Sequence, residues 1–277
     1  NPCRMRNPRI MKRNPMRPGK SLPANLPEPL AIFIHGVVKD MAATTVNKQK
    51  VVSVLFSKGK KLASGEPQSL SVTEQVIYSI CREGATPEQA DKAYKALTNN
   101  FFDWNEVRVS AIRELEECFD GMTRRVDRAL RITQFLQELF ETTYSFEMEF
   151  LHKKGVKQAS KHLSRYQAAN DYLGAWVTQR SLGGHAIPVD PPTLRVCKRT
   201  GLVDEDQKEV LEIRNSLEHL VPKSKGTEFT DVISMIGVEY CHESQPQCKS
   251  CPLSSECRFT QSAPKAAAKK ASKPKSK

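Results

Sequence analysis

Apolar residues recur along this chain at a period near 3.6, one helix-length segment after another, and no stretch alternates in the manner of a strand. Residues 51–62 carry a short amphipathic pattern that ends near Ser64-Gly65. Residues 71–81 open on Ser71-Val72-Thr73-Glu74, a capping box in which Glu74 reaches back to the cap, and continue with Val76, Ile77 and Ile80 on one face. A third helix starts at Thr86-Pro87, where proline at the first helical position gives up an N–H that has no intrahelical partner. It turns Ala90, Ala93, Tyr94 and Leu97 inward. The period then runs through 103–119 and 124–140, and shorter helices are predicted at 158–166, 172–181, 192–200, 205–220 and 228–240. The pattern predicts an all-α protein in two lobes.

Charge changes the picture at the ends. The chain holds 43 Lys and Arg against 31 Asp and Glu, a net charge of +12. Seven basic residues and no acid fall in the first twenty positions, and six lysines and no acid fall from Ser262 onward. Such Pro-, Ala- and Lys-rich ends bury too little apolar surface to fold and are expected to be disordered. They suit nonspecific attraction to phosphate backbones; a solubility or localisation tail is the plainer alternative. No apolar run approaches a membrane span and nothing reads as a secretory signal, so no membrane partner is expected.

Candidate chemistry begins with Cys241, Cys248, Cys251 and Cys257, spaced C-x6-C-x2-C-x5-C. Thiolates so close in sequence point to a shared metal centre. Only Cys248 and Cys251 form a short knuckle, so a 4Fe-4S cluster wrapped by one loop fits the gaps better than zinc, which stays as the alternative. Cys3, Cys81, Cys118 and Cys197 are scattered singly, which argues against a disulfide framework and for a reducing compartment.

The cysteine spacing resembles that of endonuclease III and its relatives, the helix-hairpin-helix DNA glycosylases with an iron–sulfur loop. Ile187-Pro188-Val189-Asp190, followed by Leu194-Arg195-Val196-Cys197-Lys198-Arg199-Thr200, is similar to that family's segment around its catalytic aspartate. The resemblance covers about residues 48–259. It implies a two-lobed fold, a six-helix barrel plus an iron–sulfur cluster lobe, and a monomer that acts on double-stranded DNA in the cytoplasm or nucleoid, or in a nucleus. It also implies boundaries: a basic extension at 1–47, an N-terminal helix of the cluster lobe at 48–69, the barrel at 70–182, the cluster lobe at 183–259 and a tail at 260–277.

Under the resemblance Asp190 is the catalytic carboxylate, able to stabilise an oxocarbenium-like sugar and to activate a water. On its own it reads as a helix N-cap before Pro191-Pro192. Family members carry an L-P-G-V-G hairpin followed by a lysine, a tyrosine or a serine. An ungapped alignment puts the segment from Tyr166 to Tyr172 there, with Tyr172 in the lysine's place, which implies base removal without strand cutting. A rival alignment puts Lys157 there and would imply lyase chemistry. Ala168 and Asn170 replace the hairpin glycines that let backbone N–H groups approach a phosphate, and Asn is able to take the left-handed conformation. Cys81-Arg82-Glu83-Gly84 falls where the family inserts a side chain into DNA, but here it reads as an exposed turn. Lys198, Arg199, Lys249 and Arg258 are candidate DNA contacts, and His185 reads as a structural histidine in a turn.

Overall fold

The computed structural model describes residues 47–59 and 69–262, and among them every regular element is helical. Twelve α-helices follow in order: α1 Lys48–Gly59, α2 Val72–Arg82, α3 Pro87–Asn100, α4 Trp104–Val109, α5 Ile112–Glu117, α6 Arg125–Thr143, α7 Val156–Leu163, α8 Asp171–Arg180, α9 Pro191–Thr200, α10 Val210–Leu220, α11 Gly226–Glu239 and α12 Arg258–Ser262. The basic extension falls outside the described residues except for Asn47. The expected tail boundary moves: residues from 260 belong to α12, and only those beyond 262 fall outside.

Local chemistry sets the helix starts. Ser71 accepts from the Glu74 N–H while Glu74 returns a carboxylate oxygen to the Ser71 N–H at 2.8 Å, and Thr86 with Gln89 repeats the device before Pro87. The long helix expected over 103–119 is two helices, so the first lobe holds seven helices where six were expected. Ser110 and Ala111 are extended at the break (ψ 156° and 141°), and the Ser110 hydroxyl donates to the Glu106 carbonyl at 2.8 Å. Serine competes with the helix for its own backbone. The apolar period cannot register this break, because Val107 before it and Leu115 after it are both buried. The helix expected from 205 begins at Val210, the Glu205 carbonyl being taken instead by Lys198 Nζ at 3.0 Å.

Two apolar cores define two lobes. The first joins Val76, Ile77, Ile80, Leu97, Phe119, Phe135, Leu136 and Val177 from α2 to α8. The second joins Val51 and Leu55 of α1 with Ile187, Val196, Ile213, Phe229, Ile233 and Leu253. Each large side chain among them contributes about 1.5–3 kcal/mol by leaving water. The N-terminal helix thus crosses in sequence to complete the C-terminal core.

The turn after α2 was expected at the surface, and it is inside. Arg82 is 1% exposed and Glu83 is 8% exposed. Arg128 of α6 donates to the carbonyls of Ile80, Cys81 and Glu83, which closes the C-terminal end of α2 with a cation where the helix leaves carbonyls unpaired. Arg131 pairs with Glu83 at 2.7 Å, Arg124 lies 3.8 Å away, and Asn170 Nδ2 donates to the same carboxylate at 3.0 Å. A sequence pattern sees only a charged, glycine-ended turn; the arginines that bury it lie more than forty positions further on. Glu83→Ala would strand Arg131, whose side chain is 13% exposed, and cost about 3–5 kcal/mol, the usual loss when one partner of a buried ion pair is removed. Urea denaturation should show a lower midpoint at an unchanged slope.

Candidate active site at the lobe junction

Asp190 sits where the chain enters the second lobe, at the N-cap of α9, with an extended backbone (φ −100°, ψ 171°). Pro191 and Pro192 follow it and carry no N–H, so the first backbone donor it can cap is Thr193, which reaches Oδ1 at 2.9 Å. Its other oxygen, Oδ2, accepts from the Gly84 N–H at 2.9 Å. Gly84 has φ +70°, a conformation that glycine adopts at no steric cost. The carboxylate is 2% exposed. One oxygen therefore holds its own helix and the other holds the turn of the opposite lobe. A second link runs alongside, as Arg82 Nη1 donates to Ser234 Oγ of α11 at 2.9 Å. Alpha-helices α9 and α11 touch closely at Gly237, where a Cβ would stand 2.7 Å from Pro192 Cβ.

Tyr172 lies in the first turn of α8, buried, its ring stacked on Trp176 with centroids 5.9 Å apart. Its hydroxyl has no hydrogen-bond partner among the described residues. Burial pushes the phenol well above its ordinary pKa; the Arg82 charge opposes this, and Asp190 and Glu83 reinforce it. The fold links the start of α8, which carries Tyr172, to Asp190 by way of Asn170, Glu83 and Gly84. Asn170 does not take the left-handed conformation: it is the N-cap of α8, extended at φ −118°, with Oδ1 accepting from Leu173 N–H at 2.9 Å. Ala168 is buried, and its carbonyl accepts from Arg131 Nε at 3.3 Å and Nη2 at 3.2 Å. Lys157 is exposed in the first turn of α7, a different helix from Tyr172. His185 is structural, its Nε2 lying 2.9 Å from the Glu218 carbonyl and 3.0 Å from that of Val221.

The cysteine loop is held by α9 itself. Arg199 donates to Cys241 Sγ at 3.4 Å and to the His242 carbonyl at 2.6 Å, and its guanidinium lies over the Phe259 ring. Arg195, one turn earlier, reaches the carbonyls of Cys241 and Gly237. Burial raises the Cys251 thiol, and the charges of Cys257, Cys241 and Cys248 add to that rise. The four cysteines are donors of the type that a thiolate-bound metal centre uses. Among the described residues, no three His, Cys, Asp or Glu side chains converge tightly enough to hold one metal ion. Of the other candidate cations, Lys249 is exposed, Arg258 pairs with Glu205 at 3.2 Å, and Lys198 donates to the Glu205 carbonyl. Arg131 and Ser234 enter the site only in three dimensions, while Arg82, Glu83 and Gly84 enter it as a turn held between the lobes where an exposed one was expected.

Two helical lobes, joined at a buried aspartate that caps a helix ahead of a four-cysteine loop, make up a fold shared with DNA glycosylases of the helix-hairpin-helix, endonuclease III type. Two structures of endonuclease III bound to DNA align over 78% of this chain and 98% of theirs, at 23% and 22% identity and TM-scores of 0.59 and 0.60. A thermostable thymine-DNA glycosylase aligns over 77% of this chain and 97% of its own, at 17% identity and a TM-score of 0.58. At these identities the likeness is one of fold. In sequence the chain is similar to the DNA glycosylase/AP lyase ROS1 of Arabidopsis thaliana, 25% identical over 76% of this chain, and to Protein ROS1A of Oryza sativa subsp. japonica, 24% identical over 83%. It spans only 16% and 13% of those two proteins. No family model matches the chain.

Replacing Asp190 with alanine leaves two N–H groups, the half-buried one of Gly84 and the buried one of Thr193, without an acceptor. At about 1–3 kcal/mol for each stranded group, Asp190→Ala should lose about 2–5 kcal/mol in chemical denaturation. Asp190→Asn keeps an acceptor for the cap and should lose less.

Proposed function

We propose that this chain is a DNA glycosylase that hydrolyses the N-glycosidic bond of a mismatched or damaged base in double-stranded DNA. The observation that carries the reading is the buried Asp190 carboxylate fixed at the lobe junction by two backbone N–H groups. Hydrolysis of this bond builds positive charge on the sugar, and a carboxylate held by two backbone N–H groups is positioned for that charge without reorganising. A carboxylate has about four lone-pair sites, so two donors leave it able to face the sugar and to orient the attacking water. Tyr172 offers no amine, which favours base removal without strand cleavage; in this reading it lines the base pocket. The exposed cation Lys249, together with Lys198 in the last turn of α9, would face the DNA backbone.

Cys241, Cys248, Cys251 and Cys257 would hold a 4Fe-4S cluster, with zinc as the alternative occupant. Its contribution is structural, fixing a loop that Arg195 and Arg199 already tie to the aspartate's helix. The likeness to a protein named glycosylase/AP lyase keeps strand cleavage by Lys157 as a second reading. Ala168 and Asn170 are not glycines and neither has a positive φ, which favours a third reading, a DNA-binding relative without catalysis.

Single-turnover assays on duplexes carrying uracil, mismatched thymine, oxidised bases or alkylated bases separate the three. Base release is expected, with Asp190→Asn slower by about 10²–10⁴-fold, the range for a positioned acid or base. A borohydride-trapped adduct that disappears in Lys157→Ala would establish the lyase, and tight duplex binding with no base release would establish the third reading. Metal analysis of the purified protein should give about four irons per chain with matching sulfide, and stoichiometric zinc would replace the cluster.

A further inference from the structure

Oxidisable rings stand one against the next through the first lobe. Tyr172 of α8 stacks on Trp176 with centroids 5.9 Å apart, and Trp176 lies 5.9 Å from Tyr78 of α2. Tyr78 lies 5.7 Å from Tyr94 of α3, and Tyr94 lies 6.3 Å from Trp104 of α4. Every step falls within the range of paired aromatic rings. Both tryptophans of the chain and three of its six tyrosines belong to this row, and none of its eleven phenylalanines does. Phenylalanine would fill a core equally well; what it lacks is the capacity to be oxidised.

The polar partners of the rings differ along the row. Tyr78 donates its hydroxyl to Asp91 Oδ1 at 2.7 Å, and Asp91 is exposed to solvent. At rest burial, and then Asp91, keep the Tyr78 phenol protonated. Trp176 donates Nε1 to the neutral Gln75 Oε1 at 2.9 Å, and the Arg180 guanidinium lies 4.6 Å from the centre of its ring. The Tyr172 hydroxyl is buried without a partner among the described residues. Glu74 acts on the Tyr94 phenol, but it already accepts the Ser71 N–H at 2.8 Å. A phenol gives up an electron readily when a base takes its proton in the same step. Tyr78 has that base and Tyr172 does not. Arg180 opposes positive charge on Trp176, which drives such a charge toward the carboxylate side of the row.

We propose that these five rings conduct oxidising equivalents through the first lobe, and that Tyr78, with Asp91 as its proton acceptor, is the redox-active residue where they come to rest. A one-electron oxidant of the oxyl-radical class takes an electron from the indole of Trp104 or Trp176 and is reduced to its anion. Tyr78 returns an electron to that indole, directly or by way of Tyr94, and its phenolic proton passes to Asp91. An intact indole and a neutral phenoxyl radical result. A reductant of the ascorbate type then supplies the electron from solvent, and Asp91 gives the proton back. This activity goes beyond the glycosylase reading and does not depend on it.

Pulse radiolysis of the full chain in azide solution tests the proposal, because the azide radical takes one electron from indoles in preference to phenols. The indolyl absorption should decay in a first-order phase independent of protein concentration, with the phenoxyl absorption rising alongside. Tyr78→Phe keeps both ring contacts and should lose that phase. Asp91→Asn still accepts the hydrogen bond but takes no proton, so it should lose the phase as well. Asp91 is exposed, so this variant leaves the core untouched and decides the matter alone should the melting curve show that Tyr78→Phe has lost its fold. Tyr144 is 82% exposed and outside the row, so Tyr144→Phe should change nothing. Spin trapping followed by peptide mass spectrometry should place the radical on Tyr78. Trapping on Tyr144 instead, as exposure alone would dictate, would overturn the proposal. So would a phenoxyl rise that scales with protein concentration, an undiminished phase in either folded variant, or an indolyl radical that decays with no phenoxyl formed.

Discussion

One carboxylate ties the two lobes together at their junction. Asp190 gives one oxygen to the N–H that starts its own helix and the other to a glycine N–H at the far side of the junction. Each contact is an ordinary hydrogen bond, worth about 1.5–3 kcal/mol when one partner is charged. Their joint effect is geometric. The position of α9 and the setting of the Glu83–Gly84 turn both refer back to the same two oxygens. A helix cap that would stabilise any helix has become a point of registry between two hydrophobic cores.

The turn that meets Asp190 shows how much polar structure this requires. Its Glu83 carboxylate is shared by Arg131, Arg124 and the Asn170 amide, and its carbonyls are closed by Arg128. Asn170 in turn caps α8, the helix that carries Tyr172. Side chains from three helices thus fix one short turn from both sides. Buried ion pairs add little net stability, because desolvation offsets their attraction, but they penalise any arrangement that leaves one member alone. The network therefore serves geometry more than stability.

The helices were legible in the sequence wherever periodicity and capping spoke together. Ser71 with Glu74 and Thr86 with Pro87 mark their helix starts to the residue. Asp190 before two prolines was legible as a cap, whereas the spacing of the cysteine run gives proximity in sequence and not coordination. The break at Ser110 was hidden because the apolar stripe continues through it. The buried turn was hidden for a different reason. Arg82 and Glu83 look like surface residues until Arg128, Arg131 and Ser234 arrive from distant positions to neutralise and pair them. Local pattern reports which residues prefer water; it cannot report which charges will find each other.

Arg195 and Arg199 lie four residues apart, on one face of α9, and both grip the chain around Cys241. At the opposite end of the same ten-residue helix stands Asp190. A helix of that length is a rigid rod of about 15 Å. It works as a tiller: whatever sets the shape of the cysteine loop steers the far end, and the far end is the carboxylate. The loop supplies no group to the junction, yet it shares control of the junction's aim.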